Sequence, residues 1–99
     1  MAYRIEWSPK AAEDIETIAL YISADSTAYA AAIVKKFLDT IRSLSRFSFS
    51  GRVVPEFDDE NVREKIVHGY RIIYRIQVKT VTIAAILHGR RLLESDMLS

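Results

Sequence analysis

The 99-residue sequence predicts an α+β fold, a helical hairpin laid on one face of a small antiparallel sheet. Two observations predict it. Apolar residues recur at helical spacing from Ala11 to Ile22 and again from Ala30 to Leu44, with a short polar turn between. Three consecutive runs from Val62 to His88 are joined by short turns, the second and third alternating with a period of two, which requires an antiparallel meander. Helices adjacent in sequence followed by adjacent strands segregate into layers, and the full order reads β-α-α-β-β-β-β.

Each element has a local cause. Tyr3, Ile5 and Trp7 alternate with Arg4 and Glu6, a short strand with one buried face. Ser8 suits an N-cap and Pro9 the first helical position, where a missing N–H costs nothing. The first helix carries Ala11, Ile15, Ile18, Ala19 and Ile22 on one side, with Glu13, Asp14 and Glu16 expected to face outward, and ends near Ser23. Asp25 or Ser26 caps the second helix, whose stripe is Ala30, Ile33, Phe37, Ile41 and Leu44. Ser48 and Ser50-Gly51 break that pattern. Arg52-Val53-Val54 reads as a short strand closed by Pro55, and Asp58 to Asn61 as a polar loop. In the second meander strand Tyr70, Ile72, Tyr74 and Ile76 alternate with Arg71, Ile73 and Arg75. In the third, Val81, Ile83, Ala85 and Leu87 alternate with Thr82, Ala84, Ile86 and His88. The tyrosine side belongs to the core, leaving Arg71, Arg75 and His88 for the opposite face.

Composition narrows the function classes. Hydrophobic residues are 49% and charged residues 27%, an ordinary globular balance that fits a single domain over residues 1–99. The absence of cysteine excludes disulfides and thiol catalysis, and two histidines without a cysteine partner argue against structural zinc. Neither a metal nor another cofactor is expected. The opening MAYRIEWSPK lacks the apolar run of a signal peptide, and no run approaches the ~20 residues of a membrane span, so the expectation is a cytoplasmic protein. The net charge of +1 conceals a regional field. Residues 63–91 hold seven basic side chains and one acid, Glu64, whereas residues 1–50 balance six against six.

The segments GRVVPEF, REKIVHGYRIIYRI and LHGRRLL together resemble the RelE/ParE toxin superfamily, and among its branches the ParE-type toxins, also labelled plasmid stabilisation proteins. The resemblance extends over nearly the whole chain, including the Trp-Ser-Pro helix start. It implies a toxin of a type II toxin–antitoxin pair, held inactive by a cognate antitoxin in a hetero-oligomer. It further implies one of two targets: DNA gyrase for ParE-type members, or messenger RNA on the ribosome for RelE-type members. The chain departs from the family in lacking a proline near Ser48. Its sequence pI near 8.0 is low for a ribosome-dependent nuclease.

Metal-free RNA cleavage needs a proton acceptor, a proton donor and cations around the phosphate. The candidates here are Arg71, His88, Arg90 and Glu64. The last ten residues lack the tyrosine that nuclease branches draw on. For protein binding, the candidates are Arg52, Arg63, Lys65, Arg71, Arg75, Arg90 and Arg91, with Leu92 and Leu93 beyond the last strand and Met97 and Leu98 further on. Such a surface suits an acidic, amphipathic antitoxin segment that orders on binding. The alternative for Arg71 and Arg75 is to solvate the outer face or to pair with Glu56, Asp58, Asp59 or Glu60, and a third reading of the whole chain is an inactive interaction module of the same fold.

Overall fold

A computed structural model describes residues 2–89 and Arg91. The order is β1 (Arg4–Trp7), α1 (Pro9–Ser23), α2 (Thr27–Ser43), β2 (Arg52–Val53), β3 (Val62–Val67), β4 (Tyr70–Ile76) and β5 (Thr80–His88), the α+β arrangement read from the sequence. The five strands form one sheet in the order β1-β5-β4-β3-β2. Strands β2 to β5 are antiparallel, while β1 joins the sheet parallel to β5, with Arg4 opposite Thr80 and Trp7 opposite Ile83. A parallel neighbour needs a long crossover, and the helices and meander provide it.

Ser8 does two jobs at the start of α1. Its hydroxyl oxygen accepts the Ala11 N–H at 3.0 Å, capping the helix, and its O–H donates to the Ala84 carbonyl at 2.9 Å. Ser26, rather than Asp25, caps α2 by accepting the Tyr29 N–H at 3.0 Å. The β3–β4 turn has positive φ at both His68 (51°) and Gly69 (79°), the two-residue geometry that matches strand twist.

The main core lies between the helices and the sheet. Ala11, Ile33, Phe37, Ile41 and Leu44 pack against Ile72, Tyr74, Ile76, Val81, Ile83 and Ile86. Burial of each large apolar side chain there contributes ~1.5–3 kcal/mol.

Two sequence expectations are corrected here. Strand β5 does not alternate evenly, because Ile73 pairs with Ala85 while Tyr74 pairs with Ile83, leaving Ala84 as an extra residue. The bulge reverses the alternation, so Ile86 joins the helix-side core and Ala85 and Leu87 turn to the other face. It also places His88 beside Tyr70 on the helix side, not with Arg71 and Arg75. Ser8 takes up the carbonyl that the bulge leaves over. Asp14, in turn, does not face solvent alone. Its Oδ2 accepts the Ile86 N–H at 2.9 Å, serving β5 beyond the end of β1, and Lys10 pairs with it at 2.9 Å.

The sheet's second face is not bare either. Val54, Val62, Ile73, Ala84, Ala85 and Leu87 form a smaller apolar cluster with Phe57 packed against it. The segment after β2 therefore crosses over part of the face that the arginines share. Among the described residues, no helix is long and apolar enough to cross a membrane.

Candidate functional site

Register decides where the basic side chains go. Arg63 and Lys65 of β3 stand opposite Tyr74 and Ile72, hence on the helix side of the sheet, whereas Arg71 stands between Ile66 and Leu87 on the other side. The positive charges of the hairpin are thus split between two faces and do not form one basic surface.

Arg71 is the centre of the second face. It is 5% exposed, and beside it Glu64 is 1% exposed. Arg71 Nε donates to Glu64 Oε1 at 2.6 Å, and its two Nη atoms donate to the two carboxylate oxygens of Glu56, each at 2.8 Å. Nη1 also donates to the Arg91 carbonyl at 3.0 Å. Glu64 Oε2 accepts from Arg52 Nε. Four charges, Arg52, Glu64, Arg71 and Glu56, thereby form a neutral chain across β2, β3, β4 and the segment after β2. The bonds to Glu56 push the Arg71 guanidinium above the ordinary arginine range, burial opposes them, and Glu64 adds to the upward shift. Of the alternatives read from sequence for Arg71, pairing with Glu56 is the one realised.

The other candidates are scattered. Arg75 is partly buried between Val62 and Thr82 of the flanking strands. His88 is exposed, its ring 5.7 Å from that of Tyr70 in an edge-to-face contact. The Arg52 side chain is 66% exposed. Arg91 is exposed, and the Arg90, Leu92 and Leu93 candidates, with Met97 and Leu98, lie outside the described residues. Among the described residues, no group of three His, Asp or Glu gathers with metal-binding geometry.

As chemistry, this arrangement is a poor nuclease centre. A general base needs a lone pair that can reach a substrate proton, and both Glu64 oxygens accept from arginines in a sealed site. A phosphate clamp needs an open guanidinium edge, and the Nη edge of Arg71 is occupied by a carboxylate. Arg71 and Glu64 organise the fold at this point.

Two further features escaped the sequence reading. Tyr74 sends its hydroxyl under the loop after α2, donating to the Ser48 carbonyl at 2.7 Å and accepting the Gly51 N–H at 3.0 Å. Burial raises the Tyr74 pKa, with the Gly51 N–H and the Arg63 charge opposing. A Cβ on Gly51 would lie 2.5 Å from the Glu64 carbonyl oxygen and 2.6 Å from the Tyr74 hydroxyl, so glycine is required for this approach. Ser48 faces inward while Phe47 and Phe49 face solvent, and the Phe-Ser-Phe alternation was the available signal. The second feature is an apolar groove of about 620 Å³ between α1 and α2, walled by Ala19, Leu20, Ala31, Val34 and Leu38 and continuing toward Trp7.

The description "ParE toxin of type II toxin-antitoxin system, parDE" matches residues 5–93. No curated protein matches the sequence. Among solved structures, a chromosomal ParDE toxin–antitoxin system from P. aeruginosa superposes with a TM-score of 0.72 at 20% identity, over 88% of this chain and 96% of that one. The RelBE2 toxin–antitoxin complex from Mycobacterium tuberculosis gives 0.61 at 21% identity, over 89% and 99%. The YoeB dimer from Staphylococcus aureus gives 0.61 at 19%, over 89% and 98%. At these identities the structural matches speak for the fold, a helical hairpin on a five-stranded sheet. The match over residues 5–93 does more: this chain belongs to the ParE toxin family of type II toxin–antitoxin systems.

Proposed function

We propose that this chain is a ParE-type toxin that inhibits DNA gyrase by binding it, without catalysing a reaction, and that a cognate antitoxin holds it inactive. The observation that carries this over RNA cleavage is the closed state of Arg71 and Glu64. The side chains best suited by type to clamp phosphate and accept a proton are 5% and 1% exposed and bonded to one another. Family membership supports the toxin class, and the closed ion chain favours a mode of action that needs surface and not a reactive centre.

The antitoxin reading draws on the groove between α1 and α2. Its apolar walls suit one face of an amphipathic segment; Lys35 and Arg42 on its rim each pair with Asp39, so acids on the partner would exchange with those exposed pairs. Of the basic candidates read from sequence, Arg52 and Arg91 are exposed and Lys65 half-buried, and a longer partner segment could meet them as well. A segment ordering on this surface would draw most of its affinity from apolar burial and its register from charge pairs.

The test is expression of the chain without its antitoxin, with supercoiling by gyrase and the integrity of messenger RNA followed in parallel. The expected result is inhibited supercoiling with intact messages, relieved by co-expression of the antitoxin. Codon-linked cuts in messenger RNA that disappear in His88→Ala would replace this reading with the ribonuclease one. Growth unaffected by the toxin alone would point to an inactive module.

A further inference from the structure

The loop after α2 is built inside out. Phe47 is 64% exposed and Phe49 50%, while Ser48 between them is 4% exposed. Polar groups from the sheet hold it that way. The Tyr74 hydroxyl bonds to the Ser48 carbonyl and the Gly51 N–H, and Arg63 donates to the carbonyls of Phe49 and Gly51 at 3.3 and 3.0 Å. The Arg63 guanidinium then lies 4.9 Å from the centroid of the Phe49 ring. A loop held from within keeps its outer aromatic side chains in place, so ordering them on contact with a partner costs little.

Phe49 shares a surface cleft of about 780 Å³ with Val78 and Lys79, and with Tyr3 and Asn61 at its sides. Val78 tips the β4–β5 turn and is 91% exposed. The turn is closed by the Gln77 N–H donating to Thr80 O at 2.8 Å, a geometry that asks nothing of the residue at 78. A β-branched apolar side chain in that place contributes nothing to the fold, since turn chemistry prefers Gly, Asn or Asp. No carboxylate lines the cleft among the described residues, and its charged groups, Lys79 and the adjacent Arg63, are both positive.

We propose that this cleft is the face through which the toxin engages its target protein, and that it receives an acidic segment bearing an exposed apolar or aromatic side chain. The inference rests on the gyrase reading above and names the toxin surface used. Rigid aromatic anchors with a cationic rim are the composition of an interface centre, and the positive groups select the sign of the partner. The cleft shares no lining residue with the α1–α2 groove, so the target and the antitoxin would meet different parts of the toxin.

The test uses the full chain with Phe49→Ser, Val78→Asn and Lys79→Glu combined, all surface changes, and Lys79→Glu alone as a second variant. Binding to purified DNA gyrase, inhibition of supercoiling and affinity for the antitoxin are measured on each, with thermal melts as the fold control. The triple variant should lose at least tenfold in gyrase binding and inhibition while its antitoxin affinity stays within twofold. Lys79→Glu should lose about threefold, more at low salt than at high salt. Undiminished inhibition by a folded triple variant overturns the surface assignment and leaves the gyrase reading intact. Equal loss of antitoxin affinity assigns the cleft to the antitoxin and overturns the proposal, as does self-association of the wild type that the triple variant abolishes. A wild-type chain that neither binds nor inhibits gyrase overturns both readings, and that result is read without any variant.

Discussion

On the helix side of the sheet, Phe37, Tyr74 and Ile83 are fully buried among apolar neighbours. On the opposite side Arg71 and Glu64 are buried almost as deeply, yet each is charged and their partners are Arg52 and Glu56. Apolar packing tolerates small shifts because its attraction has no direction. A buried ion chain does not, because a carboxylate or guanidinium without its partner in a dry site is strongly unfavourable. The first face supplies most of the driving force for folding. The second fixes how β2, β3, β4, the segment carrying Glu56 and the Arg91 backbone sit relative to one another.

The largest effects compare these faces directly. Phe37→Ala should destabilise the chain by ~3–5 kcal/mol, a cavity in the main core. Glu64→Ala should cost a similar ~3–5 kcal/mol for the different reason that Arg71 loses its buried counter-charge and keeps only Glu56 at the surface. Urea unfolding of both variants checks the pair. The comparison is sharpened by replacing the chain as a whole, with Glu56→Gln, Glu64→Leu and Arg71→Met together. No buried charge then remains, so this variant should be more stable than Glu64→Ala despite carrying three changes. If it is less stable, the second face depends on its bonds and not merely on their mutual neutralisation.

Tyr74 bridges the two faces' logic, since it is a core residue with a polar end. Tyr74→Phe leaves the Ser48 carbonyl and Gly51 N–H without their partner and should cost ~1–3 kcal/mol. Its titration gives a second readout. The folded chain holds the phenolic proton more tightly than the unfolded chain, whose tyrosines titrate near ~10. In the window above the unfolded value the native state binds more protons than the unfolded state, so stability falls as pH rises through the folded pKa. Below that window the contribution is complete. Thermal melts of wild type and Tyr74→Phe from pH 8 to ~11 should converge as the pH rises.

How much of this was legible in the sequence depends on the range of the interaction. Capping by Ser8, and by Ser26 as one of the two candidates read for α2, the His68-Gly69 turn and the inward side of β4 are local consequences of residue type and spacing, and the structure has them. The bulge at Ala84 was not legible, because its stabilisation comes from Ser8, 76 positions away. It reversed the placement of His88. Pairing of Arg71 with Glu56 was one of the alternatives read from sequence. The depth of its burial was not, since that depends on Phe57 and Val54 covering the face. The outward phenylalanines were visible only as an alternation in a stretch read as the end of a helical pattern, and the Tyr74 and Arg63 bonds that turn them outward come from distant strands.

Ser8→Ala tests the bulge at smaller scale. It removes the α1 cap and one bond to Ala84 and should cost ~1 kcal/mol. Amide exchange at Ala84 and Ala85 should rise more than at Ile72, in the middle of β4, because the lost bond is local to the bulge.

The smallest expected effect is at His88, and it separates the two modes of action with the least disturbance. The residue is exposed at the end of β5, where its ring meets that of Tyr70 edge-to-face. His88→Ala should therefore change stability by no more than ~0.5 kcal/mol. A binding inhibitor whose target surface lies at Phe49 and Val78 has no use for an imidazole at this place, so growth arrest and gyrase inhibition should match the wild type. A catalyst depending on His88 for proton transfer would lose on the order of 10²–10⁴-fold in rate at unchanged stability. Stability and toxicity measured on this one variant thus fall together on one side or split on the other, and a split would move the functional centre from the rigid loop to the end of the last strand.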